Sequence, residues 1–559
     1  MTALLTDNLP LLAGAPNGIK KLRELILELA VRGKLVPQDP SDEPASELLR
    51  RIAEEKARLV AEGKIKKQKP LTERDDEAPA FELPAGWAWA RLSNVVNVLN
   101  GRAYKKEELL DAGTPVLRVG NLFTSNHWYY SNLTLEEDKY CNPGDLLFAW
   151  SASFGPFIWQ GERSIYHYHI WKLDFYAQSQ LSKYYLYNFL LEQTQEIKAA
   201  GHGVSMVHMT KEKMEKLVVP VPPLAEQHRI VAKVDELMAL CDRLEAQQAD
   251  AESAHAQLVQ ALLGSLTQAA DAEDFAASWQ RLAEHFHTLF TTESSIDALK
   301  QTLLQLAVMG KLVPQDPSDE PASELLKRIA EEKARLVAEG KIRKQKLLGE
   351  IAAQEKPFVI PTHWEWVRLD SVLKKIGAGS TPLGGKQAYV ADGVKFIRSQ
   401  NVWNEGLRLN DVAFIPEKTH QKMSGTHVEA GDLLFNITGA SIGRCAAVPP
   451  DFDTGNVSQH VTIIRPVSGD TQPFLHVVLI SQLVQQTVMD VQVGVSREGL
   501  SIGKLSQFLI PFPPEAEQHR IVAKVDQLMA LCDKLKARLT QARQLNAQLA
   551  TALVEQAVA

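Results

Sequence analysis

The sequence lacks most features of secreted, membrane and metal-cluster proteins. It has only four cysteines among 559 residues and no CxxC pair, which argues against a disulfide framework and against a cysteine zinc site. No run of residues is long and apolar enough to span a membrane, and the first residues, MTALLTDNLPLLAG, lack the basic start of a secretory signal. We therefore predict a reduced, cytoplasmic protein that binds no membrane.

Sequence signatures of catalysis are missing as well. The Asn/Asp-Pro-Pro-aromatic tetrapeptide of adenine methyltransferases does not occur, since the Pro-Pro pairs lead into Leu224, Asp451 and Glu515. The stretch from Gly379 to Gln387 departs from a phosphate-binding loop by an extra glycine and by a glutamine in place of Ser or Thr. These departures predict a chain without a catalytic residue or a bound nucleotide.

Charge is distributed unevenly along the chain. The net charge is −7, which does not suggest a nucleic-acid binder. However, residues 85–220 contain thirteen basic and thirteen acidic residues, residues 362–511 contain the same numbers, and residues 224–300 contain five basic and thirteen acidic ones. The acidic excess therefore lies largely in a connector, and composition alone neither shows nor excludes a basic face on the neutral parts.

Two long repeats divide the chain into similar halves. Residues 29–69 recur at 306–346 with three differences, and residues 225–246 recur at 516–537, also with three differences. The strand-rich segments between the repeats share short motifs and differ almost everywhere else. The nearly identical repeats suggest that the chain binds two copies of one partner, or that the repeats pair with each other. The divergent segments between them suggest that the chain binds two different ligands.

The second repeat opens a long heptad pattern. Apolar residues step by alternating four and three positions from Ile230 to Leu262 and from Ile521 to Leu553. This spacing predicts two long helices, each packed along its whole length, as a dimerisation rod or as a spacer between two modules. His255 and Asn546 occupy equivalent polar positions, which can fix register and pairing direction. The predicted seam residues are Ile230, Val234, Leu237, Leu244, His255, Ile521, Val525, Leu528, Leu535 and Asn546.

Polar, glycine-bounded loops follow several predicted strands of the divergent segments. Their side chains are of the types that pair with base edges and phosphates in nucleic acids, although ordinary solvated turns have the same composition. His167 and His169 share one face of a predicted strand, but no third ligand follows at a metal-binding spacing, which favours packing. The candidate contacts with nucleic acid in these loops are Arg102, Tyr104, Lys105, Lys106, Arg118, Asn121, Ser205, Lys211, Ser380, Thr381, Arg398, Gln400, Asn401, Thr438, Ser496 and Arg497.

Together these motifs resemble the specificity subunit of a type I restriction-modification system. The resemblance rests on the PP-x-AEQ-x-RIVAKVD-x-L and LAV-x-GKLVPQDP motifs of both halves, on GDLLF, and on Arg-x-x-Asn after a strand, and it covers nearly the whole chain. It implies that each divergent segment is a target recognition domain that reads one half of a split double-stranded DNA sequence. It also implies that the paired helices set the gap between the halves and dock two modification subunits.

The same resemblance implies where the chemistry of the complex resides. S-adenosylmethionine would belong to the modification subunits, and ATP and magnesium would belong to the restriction subunits. The chain itself would hold no cofactor, no metal and no catalytic residue. Two alternatives stay open on the residues alone: a single-chain DNA methyltransferase or nuclease, and a coiled-coil scaffold that binds no DNA.

The predicted fold is α+β, with two mixed α/β target recognition domains separated by long antiparallel coiled-coil helices. The internal tandem repeat predicts pseudo-twofold symmetry. Residues 269–294 have no counterpart in the repeat and predict an extra amphipathic helix on the connector. The predicted regions are 1–80 (N-terminal helical repeat), 81–223 (first recognition domain), 224–268 (first spacer helix), 269–356 (central helical linker and repeat), 357–514 (second recognition domain) and 515–559 (second spacer helix).

Overall fold

A computed structural model describes residues 9–66, 81–151, 154–200, 209–270, 272–343, 349–493 and 499–558. The chain divides into two compact units: unit 1 comprises residues 1–251 and 542–559, and unit 2 comprises residues 252–541. Because the long helices span Leu224–Gln268 and Glu515–Val558, each unit contains the beginning of one long helix and the end of the other.

Helices and strands alternate in both units, so the chain is a mixed α/β protein. The first half of the chain carries the helices α1 (Leu9–Gly14), α2 (Gly18–Val31), α3 (Ala45–Ala61), α4 (Leu92–Val95), α5 (Val119–Phe123), α6 (Lys183–Ala200), α7 (Lys211–Lys216) and α8 (Leu224–Gln268). The second half carries α9 (Ala272–Glu284), α10 (Phe286–Leu289), α11 (Glu293–Val308), α12 (Ala322–Ala338), α13 (Glu417–Lys422), α14 (Gln472–Ile480), α15 (Gln482–Val493), α16 (Ile502–Ser506) and α17 (Glu515–Val558).

The first strand-rich domain consists of ten described strands. They are β1 (Ala88–Arg91), β2 (Val96–Asn100), β3 (Thr114–Leu117), β4 (Tyr129–Ser131), β5 (Tyr140–Cys141), β6 (Leu146–Ala149), β7 (Gly155–Ile158), β8 (Ser164–Tyr166), β9 (Ile170–Phe175) and β10 (Val218–Val221). They form the four-stranded sheets β2-β9-β6-β7 and β4-β3-β8-β5, while β1 pairs with β10. The pair β3–β8 is parallel, and the other pairs of these sheets are antiparallel.

The second strand-rich domain repeats this topology. Its strands are β11 (Glu365–Arg368), β12 (Leu373–Ala378), β13 (Val394–Ile397), β14 (Val402–Trp403), β15 (Gly406–Leu407), β16 (Ala413–Ile415), β17 (His427–Val428), β18 (Leu433–Asn436), β19 (Cys445–Ala447), β20 (Gly455–Val457), β21 (Val461–Pro466) and β22 (Leu509–Phe512). The sheets β12-β21-β18-β19 and β16-β13-β20-β17 match those of the first domain strand for strand, and β11 pairs with β22 as β1 does with β10. The hairpin β14–β15 is an addition between corresponding strands.

The same buried polar network occurs in both units. Glu226, at the start of α8, is 1% exposed, and its carboxylate accepts hydrogen bonds from Trp87 Nε1 at 3.0 Å and from Gln38 Nε2 at 3.1 Å. Glu517 accepts the equivalent bonds from Trp364 at 2.9 Å and from Gln315 at 2.7 Å. In each unit, this network fastens a long helix to its strand-rich domain and to the Pro-Gln-Asp-Pro turn.

The long helices are buried near their ends and exposed in the middle, and the continuous pairing of the predicted seam stays a prediction. Ile230, Val234, Ile521 and Val525 are buried, and Leu237, Leu244, Leu528 and Leu535 are half-buried against the cores of their units. Every residue in 245–254 and in 540–546 is exposed, including Asn546.

Beyond these exposed stretches, the buried face is displaced from the heptad continuation. Val259 and Leu263 are buried, whereas Leu258, which the heptad places on the seam, is 53% exposed. A helix of 3.6 residues per turn drifts by ~20° per heptad against a 3.5-residue repeat, so the sequence pattern loses its phase. Half-buried His255 lies before this face and contacts the Thr288 carbonyl through Nε2 at 3.2 Å.

The connector between the halves contains α9 and α10, where one amphipathic helix was predicted. Helix α10 corresponds to α1 of the first half. Leu289 of α10 and Leu12 of α1 are both buried, and they lie equally far before the repeats that begin at residues 306 and 29. Across the described ranges, no single helix has the length and apolarity to span a bilayer, although Gly469–Ile480 and Gln482–Val491, bent by 56°, meet that criterion as a pair.

Candidate nucleic-acid interface

Five strand ends of the first domain converge at one edge. Strands β2, β3, β6 and β8 end there and β9 begins there, because β3 runs parallel to β8 while β9 runs antiparallel to β2 and β6. The connection His167–His169 joins β8 to β9 and so links the two sheets. We call the residues at this edge the strand-end surface of the first domain: Arg102, Arg118, Trp150 and His167–His169.

Neighbouring side chains hold the two arginines of this surface. Arg102 Nη2 donates to Glu108 Oε1 at 2.7 Å, and its guanidinium lies 5.4 Å from the centre of the Tyr104 ring. The Arg118 guanidinium lies 4.3 Å from the centre of the Tyr129 ring. Arg102 Nη1 and Arg118 Nε are buried without a hydrogen-bond partner. Both guanidinium groups are thus positioned by a carboxylate or by aromatic rings at this edge.

Aromatic rings and imidazoles form the rest of the first strand-end surface. The ring centres of Tyr168 and His169 are 3.9 Å apart, and those of Trp150 and His169 are 5.0 Å apart. Tyr168 is 40% exposed. Burial lowers the pKa of His167 to about 4, and the nearby His169 and Arg118 act in the same direction. His167 is therefore neutral at neutral pH, with one ring nitrogen as donor and the other as acceptor.

The second domain builds the same edge with other side chains, and its strand-end surface consists of Ser380, Arg398, Ile437 and Ser458–His460. Arg398 Nη2 donates to the Asp411 carbonyl at 2.6 Å, and Arg398 Nε is buried without a partner. Thr438 Oγ1 and His460 Nδ1 are 2.6 Å apart. The exposed Gln459 accepts a hydrogen bond from Thr381 Oγ1 at 3.3 Å. This edge is polar where that of the first domain is aromatic.

Backbone hydrogen bonds relate the two surfaces position by position. In the first domain, the amide nitrogens of Arg102, His167 and Trp150 donate to the carbonyls of Tyr166, Leu117 and His169. In the second domain, those of Ser380, Ser458 and Ile437 donate to Val457, Ile397 and His460. The equivalent pairs are therefore Arg102/Ser380, Arg118/Arg398, Trp150/Ile437, His167/Ser458, Tyr168/Gln459 and His169/His460.

The asparagines of the Arg-x-x-Asn motif shape the loop backbone. Asn401 is fully buried; its Oδ1 accepts from the Arg398 amide at 3.0 Å, and its Nδ2 donates to Arg408 O and Asp411 Oδ1, both at 2.9 Å. Asn121 likewise accepts from the Arg118 amide at 3.2 Å and donates to a carbonyl at 2.8 Å. Their side-chain amides are therefore engaged within the loops, and the contact of Asn121 and Asn401 with DNA stays a prediction.

Several other predicted residues of the first domain flank its strand-end surface. Lys105 and Lys106 are exposed beside it, whereas the Tyr104 ring packs against His167 with 6.3 Å between ring centres. Lys211 opens α7 on a separate element and pairs with Glu215 at 3.5 Å. Ser205 lies outside the described residues.

In the second domain, Ser380 and Thr381 are exposed at the strand ends, and Thr438 is half-buried there. The exposed Gln400 donates from Nε2 to Asp411 Oδ2. Ser496 and Arg497 lie outside the described residues. Within the described ranges, no group of three or more His, Cys, Asp or Glu side chains is arranged to hold a metal ion.

Sequence reasoning missed a second set of residues that the fold brings to these edges. Trp150, Tyr168 and Gln459 reach the surface only because distant strands pair.

On the added hairpin of the second domain, Trp403 is flanked by Arg408 and Arg444, whose guanidinium carbons lie 3.5 and 3.7 Å from the ring centre. At those distances the two cations occupy opposite faces of the ring. Such arginine–aromatic stacks keep positive charge at a defined place.

Comparisons with known proteins identify the family to which the chain is similar. Residues 84–252 and 361–543 match the family model described as "Type I restriction modification DNA specificity domain". The chain is 38% identical over 565 residues to the type I restriction enzyme EcoAI specificity subunit of Escherichia coli, with 97% of this chain and 94% of that protein covered. It is 36% identical over 562 residues to the EcoEI specificity subunit of Escherichia coli, with the same coverage.

A solved structure supports the fold independently. A chain from a study of complex assembly and conformational transition in the type I R-M system matches with a TM-score of 0.50 and 17% identity. The match covers 86% of this chain and 99% of that chain.

Proposed function

The chain belongs to the family of type I restriction-modification specificity subunits, and on that premise we propose that its strand-end surfaces contact the two halves of a split DNA target. The subunits of this family are non-catalytic and recognise DNA for the complex that they join. The first domain reads one half-site, and the second domain reads the other.

One observation carries this proposal: the same backbone arrangement presents different side chains in the two domains. Equivalent backbone hydrogen bonds fix the positions, while Tyr168 and His167 on one surface are replaced by Gln459 and Ser458 on the other. Sequence is read by side chains at base edges, whereas register and orientation come from contacts to the phosphate backbone. Two domains with the same backbone arrangement and different side chains are therefore suited to two different half-sites.

The repeated helical segments suggest which protein partners the chain binds. The networks of Glu226 and Glu517 involve the same residue types in both units, and the long repeats around them are nearly identical. Because these helical repeats are present twice, they support docking of two copies of one partner. We propose that this partner is the modification subunit with S-adenosylmethionine. Methylation of a base inside a duplex requires that the base be flipped out, and the modification subunits perform this step. Restriction subunits, which use ATP and magnesium, join the same complex.

The test is to assemble the chain with its modification subunits and to map methylated positions in a random DNA library. We expect a bipartite motif with a fixed spacer, together with DNA binding that weakens steeply as salt rises, because phosphate contacts release counterions. The chain purified alone should neither bind S-adenosylmethionine nor methylate DNA. Methylation by the chain alone would indicate a single-chain methyltransferase, and an assembly with no DNA binding would indicate a scaffold.

A further inference from the structure

The position-by-position match of the two strand-end surfaces separates two classes of residue. At two of the six equivalent positions the residue is identical, namely Arg118/Arg398 and His169/His460. At the other four positions the residues differ in size and in hydrogen-bonding groups: Arg102/Ser380, Trp150/Ile437, His167/Ser458 and Tyr168/Gln459.

We propose that each surface is divided into a shared anchor and a variable reader. The anchor, Arg118 with His169 or Arg398 with His460, contacts the sugar-phosphate backbone and sets the register of the domain on DNA. The reader, His167 and Tyr168 or Gln459, selects the bases. This division rests on the proposed function above and assigns separate roles to residues within its site.

The local structure of the two arginines supports the anchor role. In both domains an asparagine side chain holds the backbone amide of the arginine, at 3.2 Å in the first and 3.0 Å in the second. Both guanidinium groups have a buried Nε without a partner. Different neighbours orient them, since Arg118 stacks on Tyr129 while Arg398 donates to the Asp411 carbonyl. A cation at the equivalent chain position in both domains suits the phosphate, which is the same in every DNA sequence.

The reader positions offer groups that distinguish bases. Gln459 is exposed, and its amide presents a donor beside an acceptor, the arrangement that pairs with adenine N7 and N6 in the major groove. Thr381 Oγ1 donates to its Oε1 at 3.3 Å, which favours one orientation of the amide. In the first domain, the neutral imidazole of His167 and the exposed ring of Tyr168 give a different pattern. The connection that carries these residues joins both sheets, so its backbone is positioned by the whole domain.

The experiment compares anchor and reader variants of the full chain assembled with its modification subunits. The reader variants are His167→Ser combined with Tyr168→Gln, and Gln459→Ala. The anchor variants are Arg118→Ala and Arg398→Ala, with Arg118→Lys as a variant that keeps the charge. Two readouts are used: the map of methylated sites, and the salt dependence of binding to a duplex that carries the wild-type motif. The half-site read by the unmodified domain reports whether the rest of the assembly is intact.

For reader variants, we expect discrimination at one or two positions of one half-site to fall roughly 5- to 150-fold, with the salt dependence unchanged. For Arg118→Ala and Arg398→Ala, we expect weaker binding to every sequence, an unchanged motif, and a slope of log K against log salt that is smaller by about 0.9. Arg118→Lys should recover most of that slope.

Three outcomes would overturn the division of roles. The first is an anchor variant that changes the preferred bases. The second is a reader variant that keeps the motif. The third is an Arg118→Lys protein with the same salt slope as Arg118→Ala. Failure of the proposed function itself looks different, because the wild-type assembly would then show no sequence preference at either half-site.

Discussion

The Asn401 side chain makes three hydrogen bonds within the loop that follows Arg398 of the second domain. Replacing it by alanine leaves the Arg398 amide and the Arg408 carbonyl without their partners. Leaving buried polar groups unsatisfied costs about 1–3 kcal/mol, so Asn401→Ala should lower the melting temperature of the chain measurably. Asn410→Ala is the matched control, because Asn410 is exposed and surface changes are usually within about 0.5 kcal/mol. An Asn401→Ala protein of wild-type stability with altered base preference would make Asn401 a base contact.

His167 gives the first domain a defined pH dependence. Its pKa in the folded chain is lowered from 6.5 to about 4 by burial, and His169 and Arg118 add to this effect. The unfolded chain therefore binds more protons between these values, so this contribution to stability is complete above pH 6.5 and is lost as the pH falls towards 4. We expect the melting temperature to drop over this range, and to drop less in His167→Gln. An equal drop in both proteins would assign the acid sensitivity to other groups.

At the residue scale, the sequence predicts which loops carry polar groups but not what each group does. The Arg-x-x-Asn motif marks the correct strand ends, yet an asparagine that caps its own loop has the same sequence signature as one that contacts a base. Tyr168 and Gln459 could not be selected, because their exposure depends on the parallel pairs β3–β8 and β13–β20. These pairs join segments far apart in sequence, and no local pattern encodes them.

Each long helix is fastened at its start by a buried carboxylate that accepts a hydrogen bond from a tryptophan. Trp87→Phe removes the donor to Glu226 Oε2 and keeps most of the apolar ring, so the main effect is a buried carboxylate with one partner fewer. We expect a loss of about 1–3 kcal/mol from unit 1, measured as an earlier first transition in calorimetry of the full chain.

Trp364→Phe is the internal control for that experiment, because Trp364 makes the equivalent bond to Glu517 in unit 2. It should destabilise unit 2 by a similar amount, and the double variant should show the sum of both effects, since distant sites are additive. If Trp87→Phe melts like the wild-type chain, the bond between Trp87 and Glu226 contributes nothing to stability.

At the element scale, the two long helices are predictable and their packing is not. Their existence follows from the heptads after each Pro-Pro pair, and the structure has helices of 45 and 44 residues there. A heptad pattern assumes a partner along the whole helix, but residues 245–254 and 540–546 are exposed. Beyond these stretches the helices pack on other parts of each unit, so the buried face follows local neighbours and the heptad phase ends.

At the scale of the whole molecule, the internal repeat correctly predicts two similar halves, and the described sheets share one strand order. The sequence could not predict where the compact units divide. Unit 1 includes residues 542–559 from the end of the chain, and unit 2 starts at residue 252, within α8. The division cuts both long helices: Ala550, near the end of α17, packs into the core of unit 1, and Leu263, near the end of α8, packs into the core of unit 2.

Since each long helix begins in one unit and ends in the other, its exposed middle is the place to test whether the helices set the spacer. B-DNA repeats every ~10.5 base pairs, so a shift along the duplex also rotates one half-site relative to the other. Removing seven residues from a helix shortens it by about 10 Å and turns its ends by only about 20° relative to each other, because each residue contributes 1.5 Å and about 100°. Removing five residues turns the ends by about 140° and separates their buried faces.

We therefore predict that deleting residues 247–253 together with residues 540–546 gives a folded, active subunit with a shorter spacer in its DNA target. Both deleted stretches are exposed throughout, so no buried contact is lost. Deleting five residues from each stretch is the matched control, and it should destabilise the chain because Val259, Leu263 and Ala550 no longer face their cores. Methylation mapping with the modification subunits measures the spacer directly, and both half-site sequences should stay unchanged. If the seven-residue variant is active with the original spacer, the docked partners, and not the helices, determine the distance between the half-sites.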